Sequence, residues 1–166
     1  MSKFLDPNGS LINEIKDKDG NILFAYKKHF EVLDDLELLN AILEGIVCAG
    51  LTCYSTNFSG AIIRNCNFYW INAFMTNFSD TVMENCEFQG GDLKETKFVN
   101  ATLKNCNFGT DNLGGSTDLS SADFTGATII DCNFEKAKVN EETLNSNKVF
   151  EEIYFKQNHR DRWGAL

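Results

Sequence analysis

The chain has 166 residues, which is enough for one compact domain or one solenoid with capping segments. Its formal net charge of −9 and pI of about 4.7 argue against binding to a phosphate backbone, because no local basic patch interrupts the acidic composition. The sequence has no long apolar run and no secretory signal pattern, so it predicts a cytoplasmic protein without a membrane segment, whose six cysteines stay reduced.

Residues 1–35 are predicted to form an N-terminal β-hairpin cap. Two β-rich runs, at 11–15 and 22–26, flank Asp17–Asn21, whose Asp-Gly pair is typical of a tight hairpin turn. This turn contains residue types found in calcium-binding loops, but the glutamate required at the twelfth position from Asp17 is missing. We therefore expect a turn without a metal, in a hairpin that covers the first coil of the segment that follows.

Apolar residues recur at every fifth position through the middle of the chain. A helix would show spacings of three and four, and a strand a spacing of two, so neither ordinary element explains the pattern. A second, usually small residue stands two positions before each large one, and we expect both to point inward. The large residues are Leu33, Leu38, Leu43, Cys48, Cys53, Phe58, Ile63, Phe68, Ala73, Phe78, Met83, Phe88, Leu93, Phe98, Leu103, Phe108 and Leu113.

The five-residue units are grouped in fours, which gives a longer period of twenty residues. The triplet Cys66-Asn67-Phe68 has counterparts at 86–88, 106–108 and 132–134, and the last interval is twenty-six. The pattern predicts coils of four five-residue sides, with a six-residue insertion near 116–121. The core columns in this register are Phe58, Phe78, Phe98 and Phe124 on the first side, and Phe68, Phe88, Phe108 and Phe134 with Cys66, Cys86, Cys106 and Cys132 on the third.

The unit of a small residue, a polar residue, Leu or Phe and two further polar residues, as in 106–110, resembles the pentapeptide-repeat family. The resemblance covers 36–141 and implies a right-handed quadrilateral β-helix, in which each pentapeptide is one side and coils stack. A single coil cannot bury its own side chains, so neighbours are required. We expect an all-β solenoid of about five coils at a spacing of about 4.8 Å, with a hairpin cap before it and a short helix after it.

Residues 142–166 are predicted to form a C-terminal helical cap or a dimerisation segment. The candidate N-cap is Thr143 or Asn145. The final run Trp163–Leu166 is apolar, which indicates docking against the solenoid itself or against a second subunit. The apolar residues at helical spacing are Val149, Phe150, Ile153 and Tyr154.

The cysteines and histidines could in principle bind a metal or take part in catalysis, but we interpret them as structural residues. Zinc needs convergent ligands, whereas a column of cysteines offers parallel ones, so the thiols are expected to pack as small apolar groups. His29 and His159 lie in different caps, without a nucleophile in a recognisable motif. We therefore expect no enzyme activity, no cofactor and no metal.

Two acidic residues next to the insertion are candidate functional residues of its loop, Asp111 and Asp118. Asp111 is expected at an inner position, where a carboxylate costs several kcal/mol unless it is hydrogen-bonded. We interpret it as an acceptor for backbone N–H groups at the root of the loop. Contact with a partner is the alternative.

A group of large apolar residues falls in outward positions around the third and fourth sides. We call these residues the aromatic cluster: Tyr54, Tyr69, Trp70, Phe74 and Met75. An exposed cluster of this kind is typical of a binding hot spot. The alternative is that the N-terminal hairpin or a second copy of the chain covers it.

These observations favour a non-enzymatic module that binds an unidentified protein through the solenoid surface. The resemblance offers an alternative, because some pentapeptide-repeat proteins mimic DNA and bind DNA gyrase, giving resistance to quinolones or peptide toxins. A stack of about 24 Å is short for such a mimic. A further alternative is an immunity protein that neutralises a co-encoded toxin. A homodimer through the C-terminal segment or the aromatic cluster is compatible with each of them.

Overall fold

The computed structural model describes residue 8 and residues 14–25 and 32–158. His29, His159 and the run 163–166 lie outside the described residues, so the predictions about them stay predictions. The elements of the described part are β1 (Glu14–Asp17), β2 (Ile22–Ala25), β3 (Ala41–Glu44), β4 (Ile62–Arg64), β5 (Val82–Glu84), β6 (Thr102–Lys104), β7 (Thr128–Ile130), α1 (Glu141–Ser146) and α2 (Lys148–Asn158).

Strands β3 to β7 form a parallel ladder along the second side of the solenoid. Ile42 pairs with Ile62 and Ile62 with Val82, a step of twenty residues each time. The step from β6 to β7 is twenty-six, because Thr102 pairs with Thr128. The predicted β-solenoid fold is confirmed, and the insertion lies between these last two strands.

The other three sides are joined by single parallel bridges. Asn57 lies beside Asn77 on the first side, and Thr52 lies beside Asn72 on the fourth. Backbone groups are paired between coils, as in the bond of 2.7 Å from Phe68 N to Glu87 O. Each coil therefore satisfies the main chain of the next, which is what makes the stack cooperative.

Aromatic columns fill the interior. On the third side the rings of Phe88 stack on those of Phe68 and Phe108, with centroids 4.9 Å and 4.8 Å apart. The first-side column meets the third-side column edge to face, as between Phe98 and Phe108 at 5.8 Å. All eight phenylalanines predicted for the two columns, and the four cysteines of the third side, are buried.

The small inner residues act as hydrogen-bond donors inside the core. The Thr96 hydroxyl donates to the Ala73 carbonyl at 2.9 Å, and the Cys86 thiol donates to the Ile63 carbonyl at 3.5 Å. Both carbonyls lie twenty-three residues earlier in the chain. This repeated geometry explains why Thr and Cys alternate with Ala at the inner positions: each is small, and its one polar group is satisfied.

The N-terminal hairpin caps the second side. Strands β1 and β2 pair antiparallel, and β1 pairs antiparallel with β3 through Lys16 and Ile42. Ile15 is buried against the first coil. The Asp17 carboxylate accepts bonds of 2.9 Å from the backbone N–H groups of Asp19 and Asn21, so it closes the predicted turn.

The C-terminal cap consists of two helices where the sequence suggested one. The predicted N-caps Thr143 and Asn145 are wrong. Asn140 caps α1 by accepting from Thr143 N at 3.1 Å, and Asn147 accepts from Val149 N at 2.9 Å at the start of α2. Thr143 is buried instead, and its hydroxyl donates to the Leu119 carbonyl at 2.8 Å.

The side chains of the C-terminal cap make the contacts that a further coil would make with the last coil of the solenoid. The ring of Phe150 stacks on Phe124 at 4.5 Å and so extends the first-side column. The Gln157 amide accepts from Phe134 N at 2.6 Å and donates to Cys132 O at 2.9 Å. Asn147 likewise donates to Phe124 O at 2.8 Å. Amide side chains thus pair with the exposed edge of the last coil.

Candidate functional site

The insertion forms a loop at 110–116, earlier than the predicted 116–121. The loop is closed by an antiparallel bridge between Thr110 and Ser116. After the loop, the chain pairs again with the coil before it, because Asp118 N donates to Gly91 O at 2.9 Å. Residues 117–121 are therefore an ordinary fourth side of the solenoid.

Two predictions next to the insertion are wrong for the same reason. Thr117 takes the inner position expected for Asp111, and its hydroxyl donates to the Phe88 carbonyl at 3.0 Å. Leu113, expected in the core, lies in the loop with 78% of its side chain exposed. The sequence allowed either register, and it is the buried Thr hydroxyl with its two carbonyl acceptors that identifies the inner position.

Asp111 holds the loop in shape. Its Oδ1 accepts from Leu113 N at 2.8 Å and from Gly115 N at 2.6 Å, and its backbone N–H donates to Gly115 O at 2.8 Å. A Cβ at Gly115 would lie 2.6 Å from the Asp111 carboxylate, so a side chain there would displace that carboxylate. The carboxylate thus accepts the backbone N–H groups of the loop from a partly exposed position.

The loop also contacts the aromatic cluster. Trp70 Nε1 donates to Asp111 Oδ2 at 2.6 Å, and Asn112 N donates to the Tyr69 hydroxyl at 2.9 Å. The Trp70 ring reaches the loop across Gly90, where a Cβ would lie 2.5 Å from Trp70 Cδ1. The indole bond is the largest cause that lowers the pKa of Asp111, so the carboxylate stays charged at neutral pH.

The remaining members of the cluster lie on the fourth side. The rings of Tyr54 and Phe74 stack at 5.6 Å, and the Tyr54 hydroxyl contacts Met75 Sδ at 3.7 Å. Lys94 Nζ lies over the Phe74 ring at 5.9 Å from its centroid. Trp70, Met75 and Tyr54 remain 48%, 44% and 39% exposed. The described part of the hairpin lies on the second side and leaves the cluster uncovered.

The backbone at the corners distinguishes this surface from the rest of the solenoid. Between residues 32 and 136, every side except the one that runs into the loop ends in a residue with positive φ. Most of these corners carry Asn, Asp, Gly or Ser, and Asn, Asp and Gly tolerate that conformation. The exceptions are Trp70 (φ 56°), Met75 (φ 58°), Glu95 (φ 56°) and Lys136 (φ 59°). All four stand at the two corners that border the fourth side. Sequence reasoning missed this, although the spacing of five would have placed these residues at corners.

Charges are concentrated on the same surface. The fourth side, its two corners and the loop carry six carboxylates and three lysines. Lys94 pairs with Asp92 at 3.0 Å and Lys138 with Asp118 at 2.7 Å. Asp118 therefore belongs to the regular fourth side and not to the loop, which corrects its predicted position. The carboxylates are Asp34, Asp35, Asp92, Glu95, Asp111 and Asp118.

The six cysteines are buried as free thiols. Burial raises the pKa of Cys66 to about 11 and the pKa of Cys53 to about 12. Within residues 14–25 and 32–158, no group of His, Cys, Asp and Glu is arranged to hold a metal ion. Over the same residues, no helix has the length and apolar character needed to cross a membrane.

A model of pentapeptide repeats matches residues 76–109 and 116–140 with eight copies, on either side of the loop. These matched residues are pentapeptide repeats, which confirms the predicted repeat for this part of the chain. A search of curated proteins finds no significant match. Among solved structures, this protein is similar in fold to HetL, a pentapeptide repeat protein involved in heterocyst differentiation regulation in the cyanobacterium Nostoc, at 16% identity and a TM-score of 0.56.

The match to HetL covers 64% of this chain and 56% of HetL, so it spans little more than half of that protein. A pentapeptide repeat protein from the Arabidopsis thaliana thylakoid lumen matches at 14% identity and a TM-score of 0.48, over 70% of this chain and 74% of that one. QnrB1, a plasmid-mediated fluoroquinolone resistance protein, matches at 18% identity and a TM-score of 0.27, over 70% and 62%. The similarity to HetL supports the fold alone.

Proposed function

We propose that this pentapeptide-repeat protein is a non-enzymatic module that binds a protein partner through the aromatic cluster and the loop 110–116. The observation that carries the proposal is the set of bulky residues at strained corners. A left-handed backbone costs a residue such as Trp or Met about 1–2 kcal/mol relative to its ordinary conformations. Residues kept in strained backbone conformations cluster at functional sites.

The cluster and the loop form one continuous surface. Trp70 is bound to Asp111, Tyr69 is bound to Asn112, and the exposed Leu113 follows directly in the chain. Aromatic residues with a rigidly held apolar neighbour are the usual anchors of protein interfaces. The buried hydroxyls of Thr96 and Thr117 donate to backbone carbonyls within the fold, which supports a binding role over catalysis.

The proposal is tested by site-specific photo-crosslinking in the cells that produce the protein. A benzophenone amino acid at position 113 should capture a defined protein, whereas the same group at position 82 should not. Val82 is a matched control because it is an exposed apolar residue on the second side. Leu113→Asp should then abolish co-purification of that protein, and Val82→Asp should leave it intact. Equal capture at both positions would refute the proposed surface.

The acidic DNA mimic that binds DNA gyrase is a second candidate function. The net charge of −9 supports it. Part of that charge is neutralised on the second side, where Glu84 pairs with Lys104 at 2.9 Å and with Arg64 at 3.7 Å. Purified protein at micromolar concentration should inhibit supercoiling or relieve quinolone poisoning of gyrase; if it does neither, this candidate is excluded. The alternative role as an immunity protein is tested by co-expressing this chain with the co-encoded toxin.

A further inference from the structure

The indole of Trp70 presents part of its ring to solvent. The ring lies against the backbone of Gly90, where an added Cβ would be 2.7 Å from Trp70 Nε1. Even so, 48% of the residue remains exposed. The ring of Tyr69 lies beside it, with centroids 5.0 Å apart and planes at 44°. The exposed part of the indole is therefore on the side away from Gly90, next to a second tilted ring.

A negative charge lies at the edge of this indole. Trp70 Nε1 donates to Asp111 Oδ2 at 2.6 Å. Within residues 14–25 and 32–158, the Asp111 carboxylate takes part in no ion pair with Lys or Arg. An N–H group that donates to a carboxylate is polarised, and this makes the already negative face of the indole more negative. The exposed face of Trp70 is therefore suited to a cation.

The same surface already contains one contact of this type. Lys94 Nζ lies 5.9 Å from the centroid of the Phe74 ring and also pairs with Asp92 at 3.0 Å. Trp binds cations over its face more strongly than Phe does. No Lys or Arg of the described ranges lies over the Trp70 ring in this way. The stronger of the two rings is thus accessible to a cation from another molecule.

The charges around the cluster favour a cationic partner. The fourth side, its corners and the loop carry six carboxylates against three lysines. Lys94 and Lys138 are already paired with carboxylates of the same surface. A basic segment is attracted to such a surface and an acidic one is repelled. Arginine suits it better than lysine, because a planar guanidinium stacks on an aromatic face while its edge donates to a carboxylate.

We propose that the partner places an arginine side chain over the exposed face of Trp70, with the guanidinium beside the Asp111 carboxylate. The inference rests on the proposed function and names the chemistry that this surface recognises. The arginine is held by the indole face and by the charge at its edge. An apolar side chain in the same position uses only the first of these.

The experiment is fluorine NMR of the full chain carrying Trp163→Phe, in which Trp70 is the only tryptophan and is replaced by fluorotryptophan. The probe is the end-blocked peptide Gly-Leu-Arg-Leu-Gly. Its control has citrulline, a neutral analogue of the same shape, in place of arginine. The arginine peptide should shift the Trp70 signal saturably at millimolar concentration, and the citrulline peptide should not.

Two substitutions locate the binding site, with binding followed by backbone amide NMR shifts. Trp70→Leu keeps an apolar side chain but removes the ring, so it should weaken binding of the arginine peptide about two- to fivefold, as for an exposed cation–π contact. Val82→Leu on the second side is the matched control and should leave binding unchanged. Equal binding by the two variants would overturn the inference. Unchanged circular dichroism shows that each variant retains the fold.

A series of fluorinated indoles separates the charge of the ring face from its apolar area. Each fluorine withdraws electron density from the face, so binding of the arginine peptide should weaken stepwise from mono- to di- to trifluorotryptophan at position 70. An affinity that stays constant or rises along the series would show an apolar contact and overturn the inference. Equal binding of the citrulline peptide, or no shift with either peptide, would also overturn it.

The two proposals fail separately. If a photo-crosslinker at position 113 captures a defined protein while the arginine peptide leaves the Trp70 signal unchanged, the proposed function stands and the arginine is wrong. If the peptide binds at Trp70 while positions 113 and 82 capture proteins equally, the cation site stands and the proposed interface is wrong.

Discussion

The second and fourth sides enclose the same core and both pair in parallel between coils, yet their surfaces differ. The second side presents a ladder of short strands, with Asn, Asp and Gly at its corners. The amides of Asn65 and Asn85 are linked along one of these corners at 2.9 Å. The fourth side presents Trp70 and Met75 at equivalent corners. The interior therefore determines the fold, and the residues at the corners distinguish the fourth side from the second.

The largest effect is expected for the core that both sides share. Phe88→Ala should destabilise the protein by about 3–5 kcal/mol, because it removes a fully buried ring from a continuous stack. Chemical denaturation of the variant measures the loss of unfolding free energy.

Val82→Ala is the surface control for this prediction, and it should change stability by less than about 0.5 kcal/mol. If the two variants were equally stable, the coils would not depend on the aromatic columns. The shared interior would then not explain the fold.

A smaller effect of opposite sign is expected at a corner of the fourth side. Met75→Asn should stabilise the protein by up to about 1 kcal/mol, because Asn tolerates the positive φ better than Met does. The same change should weaken partner capture at position 113. Thermal unfolding and crosslinking yield measure the two effects.

Asp131→Met makes the reverse change at a corner between the second and third sides. It should destabilise the protein and leave capture unaffected. If Met75→Asn were destabilising, the strained corners could not be attributed to function.

The smallest effect is a local dependence on pH in the loop. The pKa of Asp111 is lowered in the folded protein, first by the Trp70 indole bond. Stabilisation of the loop is therefore present above the ordinary carboxyl pKa and is lost as pH falls through the lowered value. Trp70 fluorescence, in a Trp163→Phe background, should change over this acidic range.

Asp111→Asn is the isosteric control, because its amide does not titrate. The acid transition in Trp70 fluorescence should be missing in this variant. A transition that persisted would place the titrating group elsewhere on the fourth side.

The sequence predicts the solenoid because each inward residue obeys a period that no helix or flat strand shares. The columns of Phe58 and Phe68 follow from that period alone. The loop was misplaced because both Leu113 and Leu119 satisfy the spacing of five, and only the hydroxyl contacts of Thr117 distinguish them. The contact between Trp70 and Asp111 spans forty-one residues and depends on a loop folding back over Gly90, which no local pattern encodes.

The amide side chains of the C-terminal helices have a consequence for assembly. A coil whose edge is open can template another strand, and stacked coils of identical molecules would then grow into a fibre. Gln157 and Asn147 engage the main chain of the last coil, and the ring of Phe150 covers its core. The C-terminal face is thereby closed to further strands. The coils are stacked at the same strand spacing as amyloid, and the helices prevent polymerisation at that end.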